Sequence, residues 1–155
     1  MPGSRRGGRF PATCNTYEQI AWNPVVMDVR CLLVDDNEPF IEAARVLLRR
    51  QGIDVVGAAS TGAEALRLVR ELQPDVVLVD IDLGRESGFE LTRHLAQEPS
   101  LASSSVILIS THSEADFADL IAASPAIGFL SKSHLSAEAI RALLGGDRGT
   151  EPLRT

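Results

Sequence analysis

Four short apolar runs punctuate the chain: Cys31-Leu32-Leu33-Val34, Val76-Val77-Leu78-Val79, Val106-Ile107-Leu108-Ile109 and Ala126-Ile127-Gly128-Phe129-Leu130. None alternates with polar residues, so each reads as a strand covered on both faces. Asp54-Val55-Val56-Gly57-Ala58-Ala59 is a further strand, and its glycine and its shortness suit a sheet edge.

Between these runs the apolar period lengthens to that of a helix. Phe40, Ala44, Leu47 and Leu48 form one face of a helix that Asn37 can cap, with Pro39 in its first turn and Gly52 as its stop. Thr61-Gly62-Ala63-Glu64 reads as a capping box for a helix carrying Leu66, Val69 and Leu72, closed before Pro74. Leu91 and Leu95 place a third helix over residues 88–97. Ser113 is the expected cap of a fourth, carrying Phe117, Leu120 and Ile121. Ser136 opens the last, with Ile140, Leu143 and Leu144 inward and Gly145-Gly146 as its end.

Five strands alternating with five helices through short connections define an α/β fold. The expected architecture is a five-stranded parallel sheet in the flavodoxin-like order 2-1-3-4-5, with helices on both faces. Residues 1–28, rich in Gly, Arg, Pro and Asn, read as a disordered leader, with Met27 as a candidate start just before the first strand. The folded domain is expected over 29–146, followed by a polar, disordered tail over 147–155 with no room for an output domain.

The composition narrows the function. A net charge of −6 argues against nucleic acid and anionic membrane surfaces as partners. No apolar run approaches the ~18 residues of a membrane span, and no apolar stretch follows Arg5-Arg6 to make an export signal, so a cytoplasmic protein is expected. Cys14 and Cys31 stand in unlike surroundings and read as free thiols, and neither shares metal-ligand spacing with His94, His112 or His134. Of 15 basic residues, 14 are arginine and one is Lys132. The one lysine in such a chain is expected where a compact ammonium is needed rather than a planar fork.

The candidate chemistry lies at the strand ends. A doubly wound sheet brings the carboxyl ends of its strands to one edge, where such folds bind ligands. There the sequence supplies Asp35-Asp36 after the first strand, Asp80 after the third, Ser110-Thr111 after the fourth and Lys132 after the fifth. Converging carboxylates repel unless a cation joins them, and an all-oxygen donor set with few carboxylates suits Mg²⁺. With a metal and an ammonium to neutralise a transferring phosphoryl group, Asp80 becomes a nucleophile that forms an aspartyl phosphate. Lys132 then pairs with phosphoryl oxygens and the Ser110 hydroxyl bonds another.

This constellation, over residues 30 to about 144, resembles the receiver domain of bacterial two-component response regulators, of the single-domain, CheY-like kind. The spacings are similar to those of compact members: 44 residues from Asp36 to Asp80, 30 on to Ser110 and 52 from Asp80 to Lys132. The resemblance implies Mg²⁺ held directly by Asp36, Asp80 and the backbone carbonyl of Asp82, with Asp35 acting largely through water. It implies Ser110 and Phe129 as switch residues, moving a surface of helix four, strand five and helix five. It implies a sensor histidine kinase or histidine phosphotransfer protein as phosphoryl donor, docking on helix one. An unidentified output protein follows, and a phosphorylation-dependent homodimer is allowed. The protein would be no turnover enzyme, catalysing only its own phosphorylation and dephosphorylation.

The pattern departs from the family at four places. Ser133 stands where proline is usual after the lysine, and Gly84 replaces a frequent proline, which predicts a looser loop after Asp80. Thr111 is bulkier than the small residue common beside the switch hydroxyl, and Asp82 and His112 flank the approach of attacking water. Two other readings compete. Asp80-Ile81-Asp82 also resembles the nucleophile motif of haloacid-dehalogenase-type phosphatases, and the same fold could serve as a non-phosphorylated interaction module.

Overall fold

The computed structural model describes residues 29–99 and 104–153; the leader, Met27 and Cys14 lie outside the described residues. Strands β1 (Arg30–Val34), β2 (Asp54–Ala59), β3 (Val76–Asp80), β4 (Ser105–Ser110) and β5 (Gly128–Ser131) form one parallel sheet in the order β2-β1-β3-β4-β5. The helices are α1 (Glu38–Arg50), α2 (Gly62–Leu72), α3 (Gly88–Ala96), α4 (Ala118–Ala123) and α5 (Ala137–Leu153). The expected fold class and strand order are both observed.

Strand alternation divides the core into two layers. Leu32, Val34, Val77, Val79 and Leu108 face one side, where they meet Ala65 and Val69 of α2 and Leu91 and Leu95 of α3. Cys31, Leu33, Val76, Leu78, Ile107 and Ile109 face the other and meet Ile41, Ala44 and Leu48 of α1 and Ile140 of α5. Every residue of β3 is buried, as its uninterrupted apolar sequence requires. Burial pushes the Cys31 thiol up to about 12, so it is an inert core residue.

Local signals set most helix starts. Asn37 Oδ1 accepts the Phe40 N–H (3.1 Å), Thr61 Oγ1 accepts that of Glu64 (3.2 Å), and Ser136 Oγ accepts that of Ala139 (3.0 Å). Glu64 returns its carboxylate to the Ser60 N–H (3.0 Å), one residue earlier than a standard capping box.

Two expectations need correction. Ser113 makes no side-chain cap; Glu114–Phe117 is a 3₁₀ turn, and α4 is only six residues long. Phe117, at φ −129°, leaves the helical region between the two pieces. The last helix also continues to Leu153 instead of ending at Gly145-Gly146, so the expected irregular tail is helical over most of its length. A glycine ends a helix by turning left-handed, and Gly145 keeps an ordinary φ; it costs the helix about 1 kcal/mol relative to alanine but does not stop it.

The candidate phosphorylation site

The loop after β3 has regular structure of its own. Asp82–Leu83 and Glu86–Ser87 pair as a small antiparallel ribbon around Gly84-Arg85. Glu86 Oε1 ties it to the first turn of α2 by accepting the Gly62 N–H at 2.7 Å, a favourable place for a carboxylate. Gly84 adopts φ +71°, and a Cβ there would stand 2.9 Å from Asp36 Oδ2. The glycine that stands in place of a proline therefore also admits the Asp36 carboxylate.

Sheet order then brings the acids together. Oxygens of Asp35, Asp36 and Asp80 all lie within 4.8 Å of one another. Asp35 and Asp80 are buried and Asp36 is exposed. Lys132 reaches them from the end of β5, with Nζ 2.7 Å from Asp35 Oδ2 and 3.1 Å from Asp80 Oδ2. Asp35 Oδ1 accepts the Asn37 N–H (2.9 Å), and Asp80 Oδ1 accepts that of Asp82 (3.0 Å). Asp35 Oδ2 touches the ammonium as an ion pair but has no well-angled hydrogen bond.

Ser110 is buried on the same rim, where its Oγ accepts the His112 N–H at 2.9 Å. Thr111, His112 and the Asp82 side chain are exposed. Phe129 is partly buried against the core layer containing Leu108. It also lines a cleft of about 430 Å³ with Thr111, His112 and His134. Ser131 Oγ accepts the Ser133 N–H (3.3 Å), a donor that the usual proline would lack.

Three carboxylates and one ammonium leave two negative charges in a partly buried corner. With more carboxylates than the one ammonium balances and ligands that are all oxygen, the residues fit a small hard dication such as Mg²⁺. Burial foremost, then the charge of Asp35, raises Asp80 to about 6, against the pull of the Asp82 N–H and Lys132. Burial alone would lower Lys132, but the Asp35 contact and the charges of Asp80 and Asp35 outweigh it and hold the ammonium above its usual range.

Asp80 therefore costs the metal-free protein stability at neutral pH. Its carboxyl is ionised in both folded and unfolded chains above about pH 6, whereas between about 6 and 4 the folded chain takes up the proton first and the penalty fades. Asp80→Asn is expected to stabilise the metal-free protein by on the order of 1–2 kcal/mol at pH 7 and by little at pH 4. Urea unfolding at the two pH values checks both the sign and the window.

The fold and the strand-end site together define a receiver domain. A family model for the response regulator receiver domain matches residues 31–144, and the chain belongs to that family. It is 36% identical over 125 residues to the response regulator UvrY of Escherichia coli (strain K12), covering 77% of this chain and 56% of UvrY. The chain thus spans little more than half the length of that relative. Among solved structures, the receiver domain of the putative response regulator NarL from Mycobacterium tuberculosis superposes with a TM-score of 0.67 at 30% identity, covering 79% of this chain and 98% of that one. A Burkholderia pseudomallei response regulator, described with a phosphorylated aspartic acid, calcium ion and citrate, matches with a TM-score of 0.65 at 27% identity, over 76% of this chain and 66% of its own. Membership favours the receiver over the phosphatase that Asp80-Ile81-Asp82 also resembles.

Sequence reasoning brought Asp35, Asp36, Asp80, Ser110 and Lys132 to the correct rim. It missed the Glu86 tie and treated Phe40 only as a core-facing helix residue. Asn37, two positions after Asp35, carried a readable second signal, since a backbone N–H there commonly closes on an Asp side chain.

Proposed function

We propose that Asp80 is the phosphoacceptor of a signalling receiver whose donor is a sensor histidine kinase or histidine phosphotransfer protein. The observation that carries this reading is the buried Asp80 carboxylate, held with Asp35, Asp36 and Lys132 in one oxygen-lined corner. An Asp80 oxygen attacks the phosphorus of a phosphohistidine; the O–P bond forms as the P–N bond breaks, and the imidazole leaves with its electron pair. Asp35, Asp36, Asp80 and the Asp82 carbonyl are the groups that would hold Mg²⁺, which when bound neutralises charge on the phosphoryl oxygens. Lys132 supplies a preorganised positive charge at the same place. The phosphorylated aspartate described for the Burkholderia pseudomallei regulator supports this chemistry.

Ser110 supplies the switch. Its oxygen accepts the His112 N–H, which leaves its own O–H to donate to a phosphoryl group on Asp80, a charged acceptor. Ser110 moving inward frees space for Phe129 and biases the α4–β5–α5 face, which the output partner reads. The protein acts stoichiometrically in the cytoplasm rather than as a turnover enzyme. Among the described residues, no helix is long and apolar enough to cross a membrane.

Incubation with acetyl phosphate and Mg²⁺, followed by a phosphate-affinity gel, tests the proposal. A retarded band is expected that requires both the metal and Asp80, and disappears in Asp80→Asn. A band that persists in that variant, or no band in the wild type, contradicts it.

A further inference from the structure

Phe40 stands out at the edge of the site. It lies in the first turn of α1, partly buried against the core layer of α1 and α5, and its ring centroid is 4.5 Å from Lys132 Nζ. An aliphatic side chain could fill the same core position. A ring presents the ammonium with a π face as well, and this attraction is larger where water is displaced. Lys132 is largely withdrawn from solvent, its side chain 11% exposed.

The contacts around the ring close a circuit. Asp35 Oδ1 accepts the Asn37 N–H, Asn37 Oδ1 accepts the Phe40 N–H, the Phe40 ring faces Lys132 Nζ, and Nζ returns to Asp35 Oδ2. The N-cap that starts α1 thereby fixes the ring's backbone to the acid that pairs with the lysine. An ammonium has three N–H bonds, and among the described residues it meets two carboxylates and one ring.

We propose that Phe40 is a positioning residue for Lys132, holding the ammonium over the site by a cation–π contact while its charged partners change. When Asp80 takes a phosphoryl group, the ammonium must exchange a carboxylate oxygen for a phosphoryl oxygen. The ring is neutral and does not compete in that exchange, and α1 fixes its place. It keeps the four-carbon stem from swinging into water between partners, where rotamer freedom and hydration would favour release.

This inference rests on the proposed role of Lys132, and wild-type phosphorylation serves as the control that separates the two. Because Lys132 is the one lysine in the chain, labelling with ¹³C-lysine gives a single reporter. In the wild type its ε-CH₂ protons should be shifted upfield by the ring. Phe40→Leu, which keeps an apolar filler, should abolish that shift and slow phosphorylation by acetyl phosphate roughly fivefold, the rate equivalent of about 1 kcal/mol. Phe40→Tyr should keep both the shift and the rate. Equal rates in wild type and Phe40→Leu, or equal losses in Leu and Tyr variants that remain folded by circular dichroism, overturn the inference. If the wild type itself is not phosphorylated, the reading of the site fails first, and the lysine spectrum alone then decides whether the ring contact exists.

Discussion

Gly88→Ala is expected to destabilise the protein by about 3 kcal/mol, more than a conservative exchange in the helical surface would. Gly88 begins α3 directly beneath the end of β3, and its N–H donates to the Ile81 carbonyl at 3.0 Å. A Cβ at this position would overlap the Asp80 carbonyl oxygen and stand 2.6 Å from Ile81 Cα. These are backbone atoms of the last residue of a buried strand and the buried residue after it, so no side chain can rotate away to make room. The helix must lift, which loosens its Leu91 and Leu95 from the core and shifts the main chain that carries Asp80. A drop in melting temperature of roughly 10 °C is expected for a domain of this size. A change within about 0.5 kcal/mol would show that the close approach of α3 to β3 is not real.

Lys132→Arg is expected to lower the rate of Asp80 phosphorylation by roughly 10²–10³-fold, the loss typical of one preorganised donor at a developing charge. The substitution keeps the positive charge and changes its shape. A planar guanidinium is longer and wider than the ammonium, which now fits 2.7 Å from Asp35, 3.1 Å from Asp80 and 4.5 Å from the Phe40 ring. Single-turnover phosphorylation with acetyl phosphate, compared with Lys132→Met, separates shape from charge. Arginine performing no better than methionine supports the geometric account; arginine within threefold of wild type would mean that charge alone suffices. The sequence is consistent with the first outcome, since arginine serves at every other basic position of the chain.

What was legible in the sequence was what local chemistry decides. The apolar runs of β1, β3 and β4 cannot satisfy a half-exposed strand, so they specify a covered parallel sheet, and the sheet order then fixes which strand ends meet. The caps at Asn37, Thr61 and Ser136 were readable because a side chain closes on a backbone N–H three residues ahead. The same rule failed at Ser113, where the chain enters a 3₁₀ turn without using the hydroxyl.

Long-range contacts left no such trace. Glu86 lies 24 residues from the Gly62 N–H it accepts, and no pattern in either segment announces the other. Gly84 was readable as a missing proline, but not the Asp36 carboxylate that stands 2.9 Å from where its side chain would be. Phe40 matched a helix face so well that periodicity concealed its place beside Lys132. Gly145-Gly146 read as a stop because glycine permits a left-handed turn, yet permission is not requirement, and the helix continues.

The central claim, that a phosphoryl group lands on the acid at the end of β3, is tested most directly by chemical trapping. Borohydride reduces an acyl phosphate to an alcohol, so an aspartyl phosphate becomes homoserine at the modified position. After treatment with acetyl phosphate and Mg²⁺, peptide mass spectrometry should find homoserine at position 80, with Asp35, Asp36 and Asp82 unchanged. Homoserine at another of these acids, or at none, would contradict the account.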